Sequence, residues 1–262
     1  MSDYSSGLIR RSGYEREGFA AGYDRYRPRP PVALLESLLQ VARVERAAVV
    51  VDLGAGTGLS TRAWAGHADR VIGVEPNPAM RAAAPDLELV AAFAHDTGLP
   101  SGGADIVTCS QSLHWMEPEP TFAEAARLLR PGGVFAAYDY DVIPICDWEV
   151  EEAYAAMLER RRALRRETGI PQGADRWPKE GHLERIRASG EFRYTREIVL
   201  QSVEEGSAER VEGYARSLGL PVADVDFEPS LRYDELRAVA DRVLGDRIVP
   251  FRFGYRARIG IR

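Results

Sequence analysis

Val49-Val50-Val51-Asp52-Leu53 running straight into Gly54-Ala55-Gly56-Thr57-Gly58 constrains this chain more than any other stretch. A β-branched run with no charge before Asp52 predicts a strand buried on both faces, as in a parallel sheet. Glycines at every second position then let the backbone turn sharply and leave room for a ligand against the main chain. Leu59-Ser60-Thr61-Arg62-Ala63-Trp64 opens a helix that Thr57 or Ser60 can cap. Strand, glycine loop and helix begin a βαβ unit, which places a ligand at the carboxyl end of the first strand.

The residues around the loop narrow the ligand's chemistry. A dinucleotide pyrophosphate favours Gly-x-Gly-x-x-Gly/Ala, and the last position here is Leu59. Asp52, just ahead of the glycines, sits badly beside a dianionic pyrophosphate and well beside an ammonium or sulfonium group. Both residues therefore speak against an NAD-dependent oxidoreductase. Glu75 closes the next apolar run, Val71-Ile72-Gly73-Val74, where a carboxylate can accept both hydroxyls of a ribose. A nucleoside bearing a cation and no phosphate is the chemistry of S-adenosylmethionine (SAM).

Asp52-Leu53-Gly54-Ala55-Gly56-Thr57-Gly58, followed by Val74-Glu75-Pro76-Asn77-Pro78-Ala79-Met80, resembles the first two motifs of class I SAM-dependent methyltransferases. Leu128-Leu129-Arg130-Pro131-Gly132-Gly133-Val134-Phe135 resembles that family's helix–turn–strand signature, and Ser110-Gln111-Ser112-Leu113-His114-Trp115 is similar to its small-molecule "type 11" branch. The four motifs come in the family's order, and the likeness covers Phe19 to Asp141. It implies an α/β, Rossmann-like, doubly wound and mostly parallel seven-stranded sheet with an antiparallel last strand.

The resemblance also implies SAM as cofactor. It puts Asp52 at the cofactor's polar face, Glu75 on the ribose, Gly54, Ala55, Gly56, Gly58 and Pro76 along the binding loops, and Met80 beside the adenine. Phe93-Ala94-His95-Asp96-Thr97-Gly98-Leu99-Pro100 falls where the family reads the adenine, with His95 standing in place of the usual Glu. Ala94 and His95 can offer backbone groups there, and Asp96 a side-chain acceptor. Ser110 and Gln111 end a strand where their oxygens can line the methyl-transfer channel. Phe19, Tyr23 and Arg27-Pro28 match an N-terminal pattern that folds over the cofactor, with Arg27 meeting the methionine carboxylate.

A chain of 262 residues suits one α/β domain with insertions and a substantial core. The net charge of -6 argues against nucleic acid or an anionic membrane surface as the main partner. Cys109 lies in a buried-looking strand and only Cys146 accompanies it, so no disulfide framework is expected and the cytoplasm is the default compartment. The opening Met1-Ser2-Asp3-Tyr4 lacks a basic-then-apolar signal, and no apolar run approaches a transmembrane length. The expectation is a soluble intracellular monomer or homodimer.

Along the chain, 1–13 reads as irregular, Tyr14 to Tyr26 as an aromatic-faced helix ended by Pro28, Pro30 and Pro31, and Val32–Val44 as an amphipathic helix. Strands are then expected at Ala48–Leu53, Arg70–Val74, Leu87–Ala91, Ala104–Ser110 and Val134–Asp139. Helices alternate with them at Gly58–Gly66, Pro78–Ala84 and Glu119–Leu129, with Pro131-Gly132-Gly133 as a turn. After Asp141 the rhythm breaks. Helices are expected at Trp148–Glu167, Leu183–Ser189, Glu209–Leu218 and Leu231–Leu244, a Pro/Gly-rich stretch at Ile170–Gly181, and the last strands at Tyr194–Gln201 and Phe251–Ile261. The single domain thus has a core of about 32–141 with 194–201 and 251–261, and helical cap segments at about 14–31, 142–192 and 202–250.

For chemistry, His114 beside the channel is the candidate base, with positioning as its other reading. Trp115 can shape the acceptor pocket, and Tyr138, Tyr140, Trp148, Trp177 and Tyr214 are further candidate liners suited to a flat or apolar acceptor. Arg160-Arg161-Arg162 and Arg165-Arg166, flanked by Glu149, Glu151, Glu152, Glu159 and Glu167, read as a solvated, salt-bridged helix face. No metal site is expected, because the histidines at 67, 95, 114 and 182 do not pair at ligand spacing. Methyl transfer to a small-molecule O, N or C nucleophile is the reading adopted. A methyltransferase acting on RNA or protein, and a SAM-binding protein of this fold with a cyclase or regulatory role, are its rivals.

Overall fold

The valine-rich run lies in the middle of a sheet, as its apolar character on both faces requires. The computed structural model describes residues 19–168, 177–218 and 228–262. The expected features at 1–18, Tyr14 among them, and the first part of the Pro/Gly-rich stretch, 170–176, lie outside the described residues. In chain order the elements are α1 (Phe19–Tyr26), α2 (Val32–Ala42), β1 (Ala47–Leu53), α3 (Leu59–Ala63), β2 (Ala68–Val74), α4 (Pro78–Ala82), β3 (Leu89–Val90) and β4 (Ala104–Ser110). A 3-10 turn at Leu113–Trp115 leads to α5 (Pro118–Leu128), β5 (Leu129–Tyr140), α6 (Trp148–Glu167), a second 3-10 turn at Lys179–Gly181, and α7 (His182–Ala188). β6 (Tyr194–Gly206), α8 (Ala208–Ser217), α9 (Glu228–Leu231), α10 (Tyr233–Leu244) and β7 (Val249–Ile261) complete the described chain.

The sheet has seven strands in the order β3-β2-β1-β4-β5-β7-β6. β1 is flanked by β2 and β4, both parallel to it, and β5 continues the parallel set beyond β4. β7 runs antiparallel to β5, with Val134 opposite Ile261 and Tyr140 opposite Tyr255. The doubly wound, mostly parallel sheet read from the sequence is therefore present, including the antiparallel turn at its end.

The chain divides into two compact units. The sheet unit comprises 29–140, 176–200 and 255–262. On it, Leu34, Leu35 and Leu38 of α2 are at most 1% exposed, a continuous apolar helix face buried as the periodicity predicts. Phe135 of β5 stacks on Phe192 at 5.3 Å and meets Phe122 of α5 edge-on at 5.7 Å, which locks α5 against the sheet. The helical unit is made of the described parts of 1–28, 141–175 and 201–254 and holds α1, α6, α8, α9 and α10. Its core includes Tyr154 and Tyr214, both 0% exposed, with ring centroids 5.9 Å apart.

Several boundaries move for identifiable reasons. Gly58 takes φ 83° and serves as the cap of α3, so that helix is shorter than Gly58–Gly66. Pro131-Gly132-Gly133 is no free turn. Ala104 pairs with Leu129 and Ile106 with Val134, so these residues form an irregularity inside a longer β5, held when Gly132 N donates to Arg262 O. The predicted helix over Leu231–Leu244 is broken at Arg232, whose φ of 53° separates α9 from α10. The expected strand Leu87–Ala91 shrinks to two residues at the sheet edge.

Candidate functional site

Asp52, Glu75 and the glycine loop converge at the carboxyl ends of β1 and β2. The side chain of Glu75 bridges two loops: its Oε2 accepts from Gly56 N at 2.9 Å and its Oε1 from Asn77 N at 2.8 Å. Val74 O receives Gly54 N at 2.8 Å and Ala55 N at 3.1 Å, so the glycine loop is fastened to the end of β2 on both sides of that carboxylate. Glu75 is 8% exposed; burial raises its pKa, while the two backbone N–H groups and Arg81 pull it back. Arg81 also donates to Glu75 O at 2.7 Å.

The loop leaves one face open. A Cβ on Gly54 would strike Ser112 Cβ and Met116 Cε at 2.7 Å, and one on Gly58 would strike Leu87 Cδ1 at 2.1 Å. At Gly56, with φ 59°, the nearest atom would be Met80 Cε at 3.8 Å. Gly56 is thus where a ligand can lie against the main chain, with Met80 beside it and Asn77 capping α4 through Ala79 N at 2.9 Å. Pro76 is half-buried in the same turn.

Asp52, expected at the cofactor's polar face, is fastened by three side-chain hydroxyls. Its carboxylate is fully buried and accepts from Ser60 Oγ at 2.6 Å, Thr61 Oγ1 at 2.8 Å and Thr108 Oγ1 at 2.8 Å. It ties β1 to the first turn of α3 and to β4. Burial raises its pKa against the three hydroxyl donors, which lower it.

The end of β4 forms the second wall. Ser110 and Gln111 are half-buried, and Gln111 is held at φ 51°, a left-handed conformation that costs a non-glycine residue about 1–2 kcal/mol. Gln111 N donates to Tyr138 O at 2.9 Å and its Nε2 to Tyr140 O at 3.3 Å. Ser112 Oγ donates to Leu53 O at 2.7 Å, joining this loop to β1. His114 is buried; its carbonyl accepts Trp177 N at 2.8 Å and its ring lies 5.5 Å from that of half-buried Trp115.

In the segment expected to read adenine, Ala94 is buried while His95 and Asp96 are exposed, with the His95 ring stacked 5.7 Å from Phe93. The segment is anchored by Thr97, whose N (3.0 Å) and Oγ1 (2.5 Å) both donate to Glu124 Oε1 of α5. Arg127 grips the same carboxylate and holds its pKa down at about 2.

The candidate acceptor liners divide. Tyr138 and Tyr140 of the sheet unit, and Tyr214 of the helical unit, are buried core residues, whereas Trp148 is 71% exposed at the start of α6. Trp177 is 38% exposed, with Arg185 over its ring. In the helical unit Arg27 donates from Nε to Ser217 Oγ at 2.9 Å and from Nη2 to Ser217 O at 2.7 Å. Its guanidinium stands 4.6 Å from the centre of the Tyr23 ring.

The sequence reading missed a buried charge network behind Gln111. Lys179 Nζ bonds Gln111 Oε1 and pairs with Asp139 Oδ1 at 2.9 Å. Arg258, 5% exposed, pairs with Asp139 Oδ2 at 2.9 Å and with Glu197 at 3.0 Å. Its members lie at 111, 139, 179, 197 and 258. The one local cue is Arg258, a basic residue on a strand that turns inward rather than outward.

Residues 51–137 match the family model described as a methyltransferase domain. Over 121 residues the chain is 38% identical to an uncharacterized methyltransferase of Mycobacterium tuberculosis, a match covering 44% of this chain and 48% of that protein. The chain thus spans about half the length of the curated relatives it matches. A solved structure from Anaeromyxobacter dehalogenans, provisionally named a type II methyltransferase, superimposes with a TM-score of 0.64 at 26% identity, covering 90% of this chain and 98% of that one. A Haemonchus contortus phosphoethanolamine N-methyltransferase, solved with phosphomonomethylethanolamine and S-adenosylhomocysteine, shares the fold at a TM-score of 0.56 and 14% identity, covering 100% of this chain and 60% of that one. The segment around the glycine loop thus matches a methyltransferase domain, and the chain shares its fold with solved methyltransferase structures.

Proposed function

We propose that this chain is a SAM-dependent methyltransferase acting on a small-molecule acceptor. The observation that carries the proposal is Glu75, a buried carboxylate at the end of β2 whose oxygens sit beside the one open glycine of the loop. The residues fit the nucleoside end of the cofactor: an acceptor for a ribose diol, a main chain open at Gly56, and an apolar side chain, Met80, next to it. When bound, that cofactor supplies a sulfonium methyl, with an already good leaving group, for in-line displacement by an O, N or C nucleophile.

The protein's part is then to bind, to align and to keep water out. Glu75 accepts the ribose hydroxyls, and Gly54, Ala55 and Gly56 give the loop its path. Asp52 supports binding at one remove, by fixing the hydroxyls of Ser60, Thr61 and Thr108 around the loop. Gln111, held in its strained conformation by Tyr138, Tyr140 and Lys179, presents the end of β4 to the reacting groups. His114 acts by position through its carbonyl bond to Trp177; it serves as a base only for an acceptor that arrives protonated.

The net charge of -6 supports a small acceptor over RNA. We assign the cytoplasm, which the free thiols of Cys109 and Cys146 fit; no helix among the described residues is long and apolar enough to cross a membrane. The test is transfer from methyl-labelled SAM into fractionated cell extract. Label is expected among molecules below about the size of a cofactor, whereas label in RNA or protein alone would overturn the assignment of the acceptor.

A further inference from the structure

The basic residues of this chain are almost all arginine: of 34 in the sequence, Lys179 is the one lysine. Where a basic side chain has only to supply charge to a carboxylate, arginine does it, as in Arg46–Asp69, Arg70–Glu88 and Arg256–Glu197. The lysine stands elsewhere, within the sheet unit and against Gln111 at the end of β4. The two residue types differ in what they can grip. An ammonium is a compact charge whose three N–H donors leave one nitrogen in different directions, whereas a guanidinium is a planar fork. Lys179 uses that geometry: the same Nζ serves both Gln111 Oε1 and Asp139 Oδ1.

Neutralising Asp139 does not by itself call for Lys179. The other oxygen of that carboxylate, Oδ2, is held at 2.9 Å by Arg258, which is the more buried of the two cations. Arg258 reaches Glu197 at 3.0 Å, and Glu197 has Arg256 at 3.3 Å as well. With the strands in the order β4-β5-β7-β6, these pairs make a ladder of alternating charge from the edge strand β6 across β7 to β5. Lys179 is its last rung, and what it adds is the bond to Gln111. Lysine only donates, so that bond turns the side-chain oxygen of Gln111 to the ammonium and leaves Nε2 to Tyr140 O at 3.3 Å. The lysine is itself held in place. Trp177 N donates to His114 O at 2.8 Å, and Pro178 O accepts from Gly181 N at 3.2 Å and from Arg185. Gln111, at φ 51°, is thus gripped by its main chain and by both ends of its amide.

We propose that Lys179 is a positioning residue for methyl transfer, which fixes the Gln111 amide and with it the wall at the end of β4 that aligns the acceptor. The inference rests on the SAM-dependent methyltransferase reading of the site. Lys179 acts through Gln111, so it governs the rate of transfer, while cofactor affinity belongs to Glu75 and the glycine loop.

The experiment has a spectroscopic and a kinetic arm, both on the full chain. Lysine labelled with carbon-13 at Cε gives one NMR signal from this sequence, and Gln111→Ala should shift it in the absence of any ligand. Calorimetric titration with SAM, and the initial rate of label transfer from saturating methyl-labelled SAM into the small-molecule fraction of cell extract, are then compared among variants. Lys179→Met, which has no donor, and Lys179→Arg, which keeps the charge and changes its shape, should each lose at least about tenfold in rate and keep SAM affinity within about threefold. The kept affinity shows the variants to be folded, as expected when Asp139 retains Arg258. Arg256→Gln, which removes a charge from the far end of the ladder, should transfer within about twofold of wild type. A lysine signal indifferent to Gln111→Ala, transfer near the wild-type rate in Lys179→Met or Lys179→Arg, or affinity lost in step with rate would overturn the inference alone. Absence of SAM binding by the wild type would overturn the cofactor reading, and the inference with it.

Discussion

Replacing Asp52 by Ala removes the acceptor for three buried hydroxyls at once. Ser60, Thr61 and Thr108 are between 0% and 6% exposed, and their donors reach the carboxylate at 2.6 to 2.8 Å. An orphaned buried donor costs about 1–3 kcal/mol, and relief of the buried charge offsets part of the sum, so a net loss of roughly 3–5 kcal/mol is expected. Asp52→Asn keeps the shape and one acceptor oxygen, and the hydroxyls can rotate to accept from the amide, so its loss should be near 1 kcal/mol. Urea unfolding of wild type, Asp52→Ala and Asp52→Asn measures both. A pH series adds a signed check, because the folded pKa of Asp52 lies above the ordinary 3.8. Below that value both folded and unfolded chains hold the proton. As pH rises from 3.8 through the raised folded value, wild type should lose stability relative to Asp52→Asn and then level off. An Asp52→Ala variant within 1 kcal/mol of wild type, or an Asn variant as damaged as the Ala one, would refute the reasoning that Asp52 is the knot behind the loop.

Two further outcomes can be read on the same preparations. Gly56→Ala should unfold within about 1–2 kcal/mol of wild type, the strain of a left-handed alanine, yet lose SAM binding because its methyl enters the open face. Gly58→Ala, whose Cβ would strike Leu87 at 2.1 Å, should lose more stability than Gly56→Ala; the reverse order in urea unfolding would contradict the assignment of the open face. His182 is 0% exposed, and burial holds its pKa at about 4 from 6.5, with Asp139 opposing that shift and Arg185, Arg258 and Lys179 adding to it. Arg185 Nη2 lies 2.9 Å from its Nδ1, a bond that protonation there would break. Its contribution is complete above pH 6.5 and lost as pH falls toward 4. Wild type should therefore lose up to about 3 kcal/mol more than His182→Gln over that window, and parallel unfolding curves would count against it.

The parts of the site that lie close together in the chain were legible in the sequence. The glycine spacing, the apolar run ending at Glu75 and the Asn77-Pro78 helix start each depend on neighbours a few residues away, and all three appear as read. Asp52 was legible as the acidic end of β1, while the three hydroxyls it accepts from were not. One of its three partners, Thr108, lies fifty-six positions away on β4. The same holds for Lys179, Asp139 and Arg258, which meet only after β5 and β7 have paired. The helix α6 was placed to the residue, at Trp148–Glu167. Pro131-Gly132-Gly133 signals a turn locally, and pairing with Arg262 at the far end of the chain draws it into the strand instead.

Calorimetric titration of wild type and Glu75→Ala with SAM, with NADH as control, tests the central claim most directly. The account predicts micromolar SAM binding by wild type, none of NADH, and loss of at least tenfold in affinity in the variant, about 1.4 kcal/mol or more. No SAM binding by the wild type, or binding indifferent to Glu75, would contradict it.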